Sequence, residues 1–313
     1  MHKLIAGFLF IFICGCASHK EKEVPVISFL DAFEDGTIAK AKAGFFEALK
    51  ANGFSEEQHT IKVIYRNAQG DIPTLTQACD YFIFENTSLI ATNTTLATIA
   101  AVQKTKDIPI FMMVAPSPQL AKLTDAKGKA PANLFGVYET LEYIDTSVTL
   151  IKKTFPATKK IGAIYNQSEP QSLMALQHLT RQAKALNMEV TSLPANNSSE
   201  TQLVVGSLLR GHIDVFFALP DNTVFASFET IDKACKKEHI PVFTSEAGLV
   251  ERGALAAYGA DIFQWGYQSG LQAARFLKTR SLADLKPELV KNRKKVLNVA
   301  MANYYKVDTL QYH

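Results

Sequence analysis

The chain has little of what metal sites and nucleophilic enzymes are built from. Four cysteines and seven histidines occur among 313 residues, and no Cys or His spacing matches a metal site. His59, His178, His212, His239 and His313 stand singly. There is no Gly-x-Ser-x-Gly elbow, no phosphate-cradling Gly-x-x-x-x-Gly-Lys-Ser/Thr loop, no His-Glu-x-x-His and no Gly-x-Gly-x-x-Gly. No enzyme activity, resident metal or cofactor is therefore expected. Long basic runs are missing too. The 33 basic and 30 acidic residues nearly balance at a net charge of +3, without a Lys/Arg stretch interleaved with aromatics, so nucleic acid is not an expected partner.

What is present is ordinary globular composition, 47% hydrophobic and 20% charged over a length that holds two α/β lobes with separate cores. The first residues depart from it. His2 and Lys3 precede an uncharged apolar run at 4–13 that leads into Ile13-Cys14-Gly15-Cys16-Ala17-Ser18. That is a secretory signal, too short to remain as a membrane-spanning helix. The order aliphatic, small, Gly, Cys resembles a bacterial lipobox, with Cys16 as the lipidated first residue after cleavage; the alternative is an ordinary signal cleaved without lipid. Residues 1–15 are thus expected to be the signal and 16–23 a polar tether. Export to a bacterial membrane surface or periplasm leaves Cys79 and Cys235 in the folded body. Their apolar helical neighbours favour two separate buried thiols over a disulfide.

From residue 24 onward, short β-rich runs alternate with segments of helical period, the pattern of parallel sheets with crossover helices. Strands are expected at 24–30, 60–65, 88–91, 109–114 and 134–138, with a helix over 36–52. The pattern restarts with strands at 160–165, 189–193, 213–219 and 241–244 and helices over 171–186 and 224–237. Two such series imply two Rossmann-like lobes with a seam near 139–143. A ligand site in sheets of this kind lies at the carboxyl ends of the strands.

The loops at those ends carry a resemblance. Asn67-Ala68-Gln69-Gly70-Asp71 after Tyr65-Arg66, the stretch Ile161-Gly162-Ala163-Ile164-Tyr165-Asn166-Gln167-Ser168-Glu169-Pro170, Pro220-Asp221-Asn222-Thr223-Val224, and Val250-Glu251-Arg252-Gly253-Ala254-Leu255-Ala256-Ala257-Tyr258-Gly259 together resemble the tryptophan/tyrosine-binding type of ABC substrate-binding protein. The similarity runs through almost the whole mature chain. It implies a type I periplasmic-binding-protein fold, α/β, whose two lobes are joined by a hinge with multiple crossings. A helix at 261–278 then returns to the first lobe and 296–300 to the second, giving lobes of 24–138 plus 255–280 and 139–254 plus 281–313. The implied function is capture of a small solute, an amino acid or similar, and its delivery to an ABC permease with its ATPase. The protein is expected to be a monomer, held to the membrane through Cys16. A receptor of the same fold that signals to a membrane partner is the alternative, and an extracytoplasmic enzyme a weaker one.

Each candidate residue has two readings. Asp221 and Asn222 end a strand and precede a helix, which suits an N-cap; with the resemblance, Asp221 is instead expected to hold a ligand ammonium. Thr92, Asn93 and Thr94 open a helix and offer hydroxyls and free N–H groups to a carboxylate, or cap it. Asn166, Glu169 and Ser172 form a second polar cluster, in which Glu169 equally suits a first-turn acid. Glu246 follows another strand. Phe33, Tyr138, Tyr165 and Trp265 are aromatics near loops, usually core, of which one or two would line an apolar pocket. Asp35 is included because relatives often carry His-Pro where this chain has Asp35-Gly36. They also carry Thr-Pro where it has Thr92-Asn93; both loops are expected to touch the solute, so the departures leave open which small apolar or zwitterionic solute is bound.

Overall fold

The structure is a computed structural model and describes residues 24–33 and 35–312. The expected signal, the tether and Cys16 lie outside the described residues. The first sheet is built by β1 (Val26–Asp31), β2 (Lys62–Asn67), β3 (Leu89–Asn93), β4 (Ile110–Met113) and β5 (Leu134–Tyr138), connected through α1 (Ala39–Ala51), α2 (Ile72–Phe84) and α3 (Thr95–Lys104). The second holds β6 (Lys160–Tyr165), β7 (Glu189–Pro194), β8 (Val215–Ala218), β9 (Val242–Thr244) and β10 (Ala256–Ala260). Its helices are α4 (Tyr143–Thr154), α5 (Pro170–Ala185), α6 (Thr201–Leu209), α7 (Asn222–Ala226), α8 (Phe228–Lys237) and α9 (Ala247–Glu251). The chain then returns with α10 (Ile262–Thr279) and β11 (Glu288–Leu289), and crosses again into β12 (Arg293–Leu297) and α11 (Val299–Tyr304). The strand orders are β11-β5-β4-β3-β1-β2 and β12-β10-β9-β8-β6-β7. All pairs are parallel except the antiparallel β10 and β12.

Period-2 alternation places each strand's side chains in two cores. In β1, Ile27 and Phe29 join Phe45, Phe111 and Trp265 under α1 and α10, while Leu30 joins Leu75, Phe82 and Met112 under α2 and α3. In the second lobe, Phe217 faces α4 and α5 and Phe216 faces α6 and α8. Cys79 and Cys235 are free buried thiols in different lobes, so the reading as two separate thiols holds.

The seam of α1 and α10 shows why the chain returns. A Cβ on Gly44 would collide with the Phe263 carbonyl, and one on Gly266 with that of Ala41, so the backbones themselves are in contact. Only glycine permits that approach.

Two expectations are corrected. The single helix expected at 224–237 is broken at Ser227, whose hydroxyl accepts from Thr201 Oγ1 at 3.0 Å. The break lets both Phe225 and Phe228 bury. The lobe boundaries also move: residues 256–260 are a strand of the second sheet, paired with β9 and β12, and 288–289 pair with β5 in the first. Apolar Ala256 and Ala257 extend the second core, and Val290 donates its N–H to the Tyr138 carbonyl at 2.9 Å. The chain therefore crosses between lobes after β5, after β10 and after β11. Among the described residues, no helix is long and apolar enough to cross a membrane.

Candidate functional site

The carboxyl ends of β3, β4, β6, β8 and β9 face one another across the gap between the lobes. The lobes touch there. Arg252, in the turn after α9, donates Nη1 to Asp35 Oδ2 at 2.6 Å and to Thr37 Oγ1 at 3.1 Å. Its other nitrogens are held within the second lobe by both Glu229 oxygens at 2.8 Å and by the Phe225 carbonyl at 2.9 Å. Lys40 pairs with Glu251 beside it, and Ile38 of the first lobe packs into the second-lobe core. Asp35, expected at the ligand, is thus an interlobe partner: its other oxygen accepts from the Thr37 and Ile38 N–H groups.

Between the lobes lies a cavity lined by Thr95, Val114, Pro116 and Trp265 from the first lobe, Glu139 and Leu141 from the crossing, and Tyr143, Gln171, Asn222, Phe225 and Glu246 from the second. Its free space is about 30 Å³, enough for a water or two. A larger solute therefore requires the lobes to part. Three aromatic rings, of Trp265, Phe225 and Tyr143, wall it; the Trp265 indole N–H is committed to the Val137 carbonyl at 2.8 Å. Among the described residues with positive φ, the β-branched ones, Thr94 at 78° and Val114 at 50°, stand here, with Leu141 at 69°. Such angles are costly for β-branched residues and concentrate at sites where the surroundings hold them.

The polar atoms around this gap are unusually short of partners. Among the described residues, the buried side-chain atoms without a hydrogen-bond partner are Ser28 Oγ, Asn93 Oδ1, Thr94 Oγ1, Gln171 Oε1, Ser245 Oγ and Glu246 Oε2. All but Ser28 belong to the strand tips or helix starts at the cleft. Leaving a buried polar atom unpaired costs about 1–3 kcal/mol, so the concentration marks a surface built to be completed by something else. The N-terminus of α3 adds to it, since no side chain caps that helix.

Two glutamates sit in the cavity wall with different fates. Glu139, fully buried, is neutralised by the Arg293 guanidinium at 2.7 and 3.2 Å and accepts from the Thr140 N–H at 2.8 Å. Glu246 has no cation, only hydroxyls: that of Tyr143 at 3.1 Å on Oε1, and that of Ser245 beside it. Burial pushes Glu246 up to about 8; the Tyr143 and Ser245 hydroxyls oppose this and the Glu139 charge adds to it. Glu139, Tyr143 and Gln171 were not read from the sequence as site residues. Gln171 immediately follows the quoted stretch that ends at Pro170, but nothing local distinguishes Glu139 or Tyr143.

Asn166, Glu169, Ser172, Asp221 and Asn222 are brought together as expected, but largely bond one another. Asp221 accepts from the Asn166 N–H at 2.7 Å, from the Val224 N–H at 3.0 Å and from the Ser172 hydroxyl. It is the N-cap of α7 and fully buried, the capping alternative that its position between strand and helix suggests. Glu169 accepts from Gln171 and from Asn222 Nδ2 at 2.8 Å. Burial, and then the Asp221 charge, hold it well above the usual carboxylate range. Asn166 and Glu169, with Phe33, line an outer cavity of about 480 Å³ at the cleft mouth, between the same two lobes.

The remaining candidates are placed as follows. Thr92 bonds Thr98 Oγ1 at 2.9 Å inside the first lobe. Asn93 ties Asp31 Oδ1 at 2.7 Å to the Ile38 carbonyl at 3.2 Å through its Nδ2, leaving Oδ1 available. Tyr138 lies with residues 286–291 beside β11, away from the cleft cavities. Among the described residues, no group of three His, Cys, Asp or Glu side chains is arranged to hold a metal ion.

Two doubly wound lobes hinged by three crossings, with partnerless polar tips facing a shared cavity, define a solute-binding architecture. Residues 23–311 match the family model described as ABC transporter substrate binding protein, and the chain belongs to that family. Members bind small-molecule solutes outside the cytoplasm and work with ABC permeases. The tyrosine-binding protein of Clostridioides difficile (strain R20291) is 35% identical over 268 residues, 86% of this chain and 76% of that protein. A conserved domain protein of Vibrio cholerae O1 biovar El Tor superposes with a TM-score of 0.84 at 27% identity, covering 91% of this chain and 96% of that one. An ABC domain from Streptococcus pneumoniae in complex with L-Trp gives 0.82 at 23% identity, covering 91% and 95%. The ligand-free, open structure of a Clostridium difficile substrate-binding protein with adhesive properties gives 0.67 at 29% identity, covering 91% and 96%.

Proposed function

We propose that this chain captures an aromatic α-amino acid between its lobes and presents it, chemically unchanged, to an ABC permease coupled to its ATPase. The cluster of unpartnered polar atoms beside three aromatic rings carries this reading. A zwitterion supplies what those atoms want. Its carboxylate suits the uncapped start of α3 with the Thr94 hydroxyl, and its ammonium suits Gln171 Oε1 and Glu246 Oε2. The side chain would lie against Trp265 and Phe225. The tyrosine-binding relative and the L-Trp complex support this substrate class. The closer superposition on the L-Trp complex than on the open relative, despite lower identity, supports a closed arrangement here.

In this reading the protein acts as a monomer, tethered through lipid on Cys16 at the outer face of a bacterial membrane. Titration calorimetry of the purified protein with L-tyrosine and L-tryptophan tests the substrate class; one-to-one binding is expected, and silence toward both overturns it. Replacing Cys16 by Ser should release the protein from membranes, and its retention there would refute the anchor.

A further inference from the structure

We propose that Glu246 is the residue that selects for an ammonium-bearing solute, and that it gives up a proton to solvent when that solute enters. The inference rests on the amino-acid reading above and adds a chemistry that the reading does not require. The argument begins with charge balance. Glu139 and Glu246 both line the same buried cavity. Arg293 embraces Glu139 with two nitrogens and brings one positive charge for two acids. The second acid is left with uncharged hydroxyl neighbours only, those of Tyr143 and Ser245.

The groups facing Glu246 come from several elements. Tyr143 of α4 and the adjacent Ser245 bring hydroxyls, and Glu139 from the first crossing adds negative charge. Gln171 at the start of α5, Asn222 at the start of α7, Thr95 of α3 and Trp265 of α10 are neutral. Arg293 of β12 is held by Glu139. Among the described residues lining this cavity, then, no cation faces Glu246 to balance a carboxylate. Burial and the neighbouring acid keep Glu246 protonated in the unliganded closed form near neutral pH, consistent with its upward displacement to about 8.

An ammonium placed against Oε2 and Gln171 Oε1 reverses that preference, because a positive charge at hydrogen-bond distance favours the carboxylate. The carboxyl O–H bond breaks and the proton leaves to buffer. The solute's ammonium keeps its own protons and takes up the freed lone pairs. A neutral or purely anionic analogue has no such effect. Selectivity for a cationic group is thereby tied to proton release, and affinity should climb by up to about tenfold per pH unit below 8 and level off above it.

Calorimetry of wild-type protein with L-tyrosine or L-tryptophan, at pH 7 in phosphate and in Tris, reads the proton count from the difference in apparent enthalpy. Close to one proton released per solute is expected. Glu246→Gln should abolish the release and flatten the pH dependence of affinity between 6 and 8. It should also narrow the gap between L-tyrosine and its deaminated analogue 3-(4-hydroxyphenyl)propionate. Binding of either amino acid by the wild type without proton release overturns this inference while leaving the substrate class intact. Release that persists in Glu246→Gln overturns it as well. Failure of both amino acids to bind overturns the substrate class itself, and this inference with it.

Discussion

At the scale of single residues, Asp221 is saturated by donors of its own lobe, whereas Glu246 keeps a carboxylate oxygen without a partner. Asp221 receives two backbone N–H groups and a hydroxyl in the closed interior. Truncating it strands those donors, each at about 1–3 kcal/mol. Asp221→Ala should therefore lower unfolding free energy by about 2–4 kcal/mol in urea titrations. An unchanged midpoint would return Asp221 to the ligand. Glu246 has the opposite signature, a buried acid whose native form binds its proton more tightly than the unfolded chain does. Its stabilising contribution is complete below the unfolded value near 4.3 and is lost as pH rises through about 8. Glu169 is displaced in the same direction. The unliganded protein should melt lower at pH 8 than at pH 5.5, with a smaller difference in Glu246→Gln. A higher melting temperature at pH 8 would show that both acids are ionised in the native state. The polar cluster around Asn166 was legible because Asn, Glu, Ser and Asp recur at strand ends. Which acid stays available was not, because that depends on Arg293 reaching Glu139 across 154 positions of sequence.

At the scale of elements, apolar periodicity placed the strands to within two residues, and 134–138 and 160–165 coincide with β5 and β6. It failed where a polar contact overrides period. The run from 224 to 237 reads as one helix until Ser227 is seen to bond Thr201 of α6. Strand assignment near 256–260 and 288–289 was similarly hidden, since a short strand carries no mark of which sheet it joins. The α1–α10 seam gives a direct test. Gly266→Ala must push two helix backbones apart, and a loss of about 1–3 kcal/mol is expected from overpacking of this kind. Unaltered stability would mean the helices slide without cost.

At the scale of the molecule, the lobes are clasped by Arg252 through Asp35. The clasp is prepared on one side, since Glu229, the Phe225 carbonyl and the Phe228 ring hold the guanidinium before it reaches across. Arg252→Ala should shift the unliganded population toward open forms. If the clasp is worth about 1–2 kcal/mol, solute affinity falls about 5–30-fold. X-ray scattering should then show a larger radius of gyration for the unliganded variant. Equal radii and equal affinities would assign Arg252 to the second lobe alone.

Because the polypeptide passes between its halves three times, neither half is a contiguous stretch of gene. A protein ending at residue 260 lacks α10, which covers one face of the first sheet, and lacks β12, which closes the edge of the second. Neither hydrophobic interior is sealed until α10 and β12 have been made. Nascent chains must therefore stay unfinished, and exposed to chaperones and proteases, until synthesis has passed residue 297.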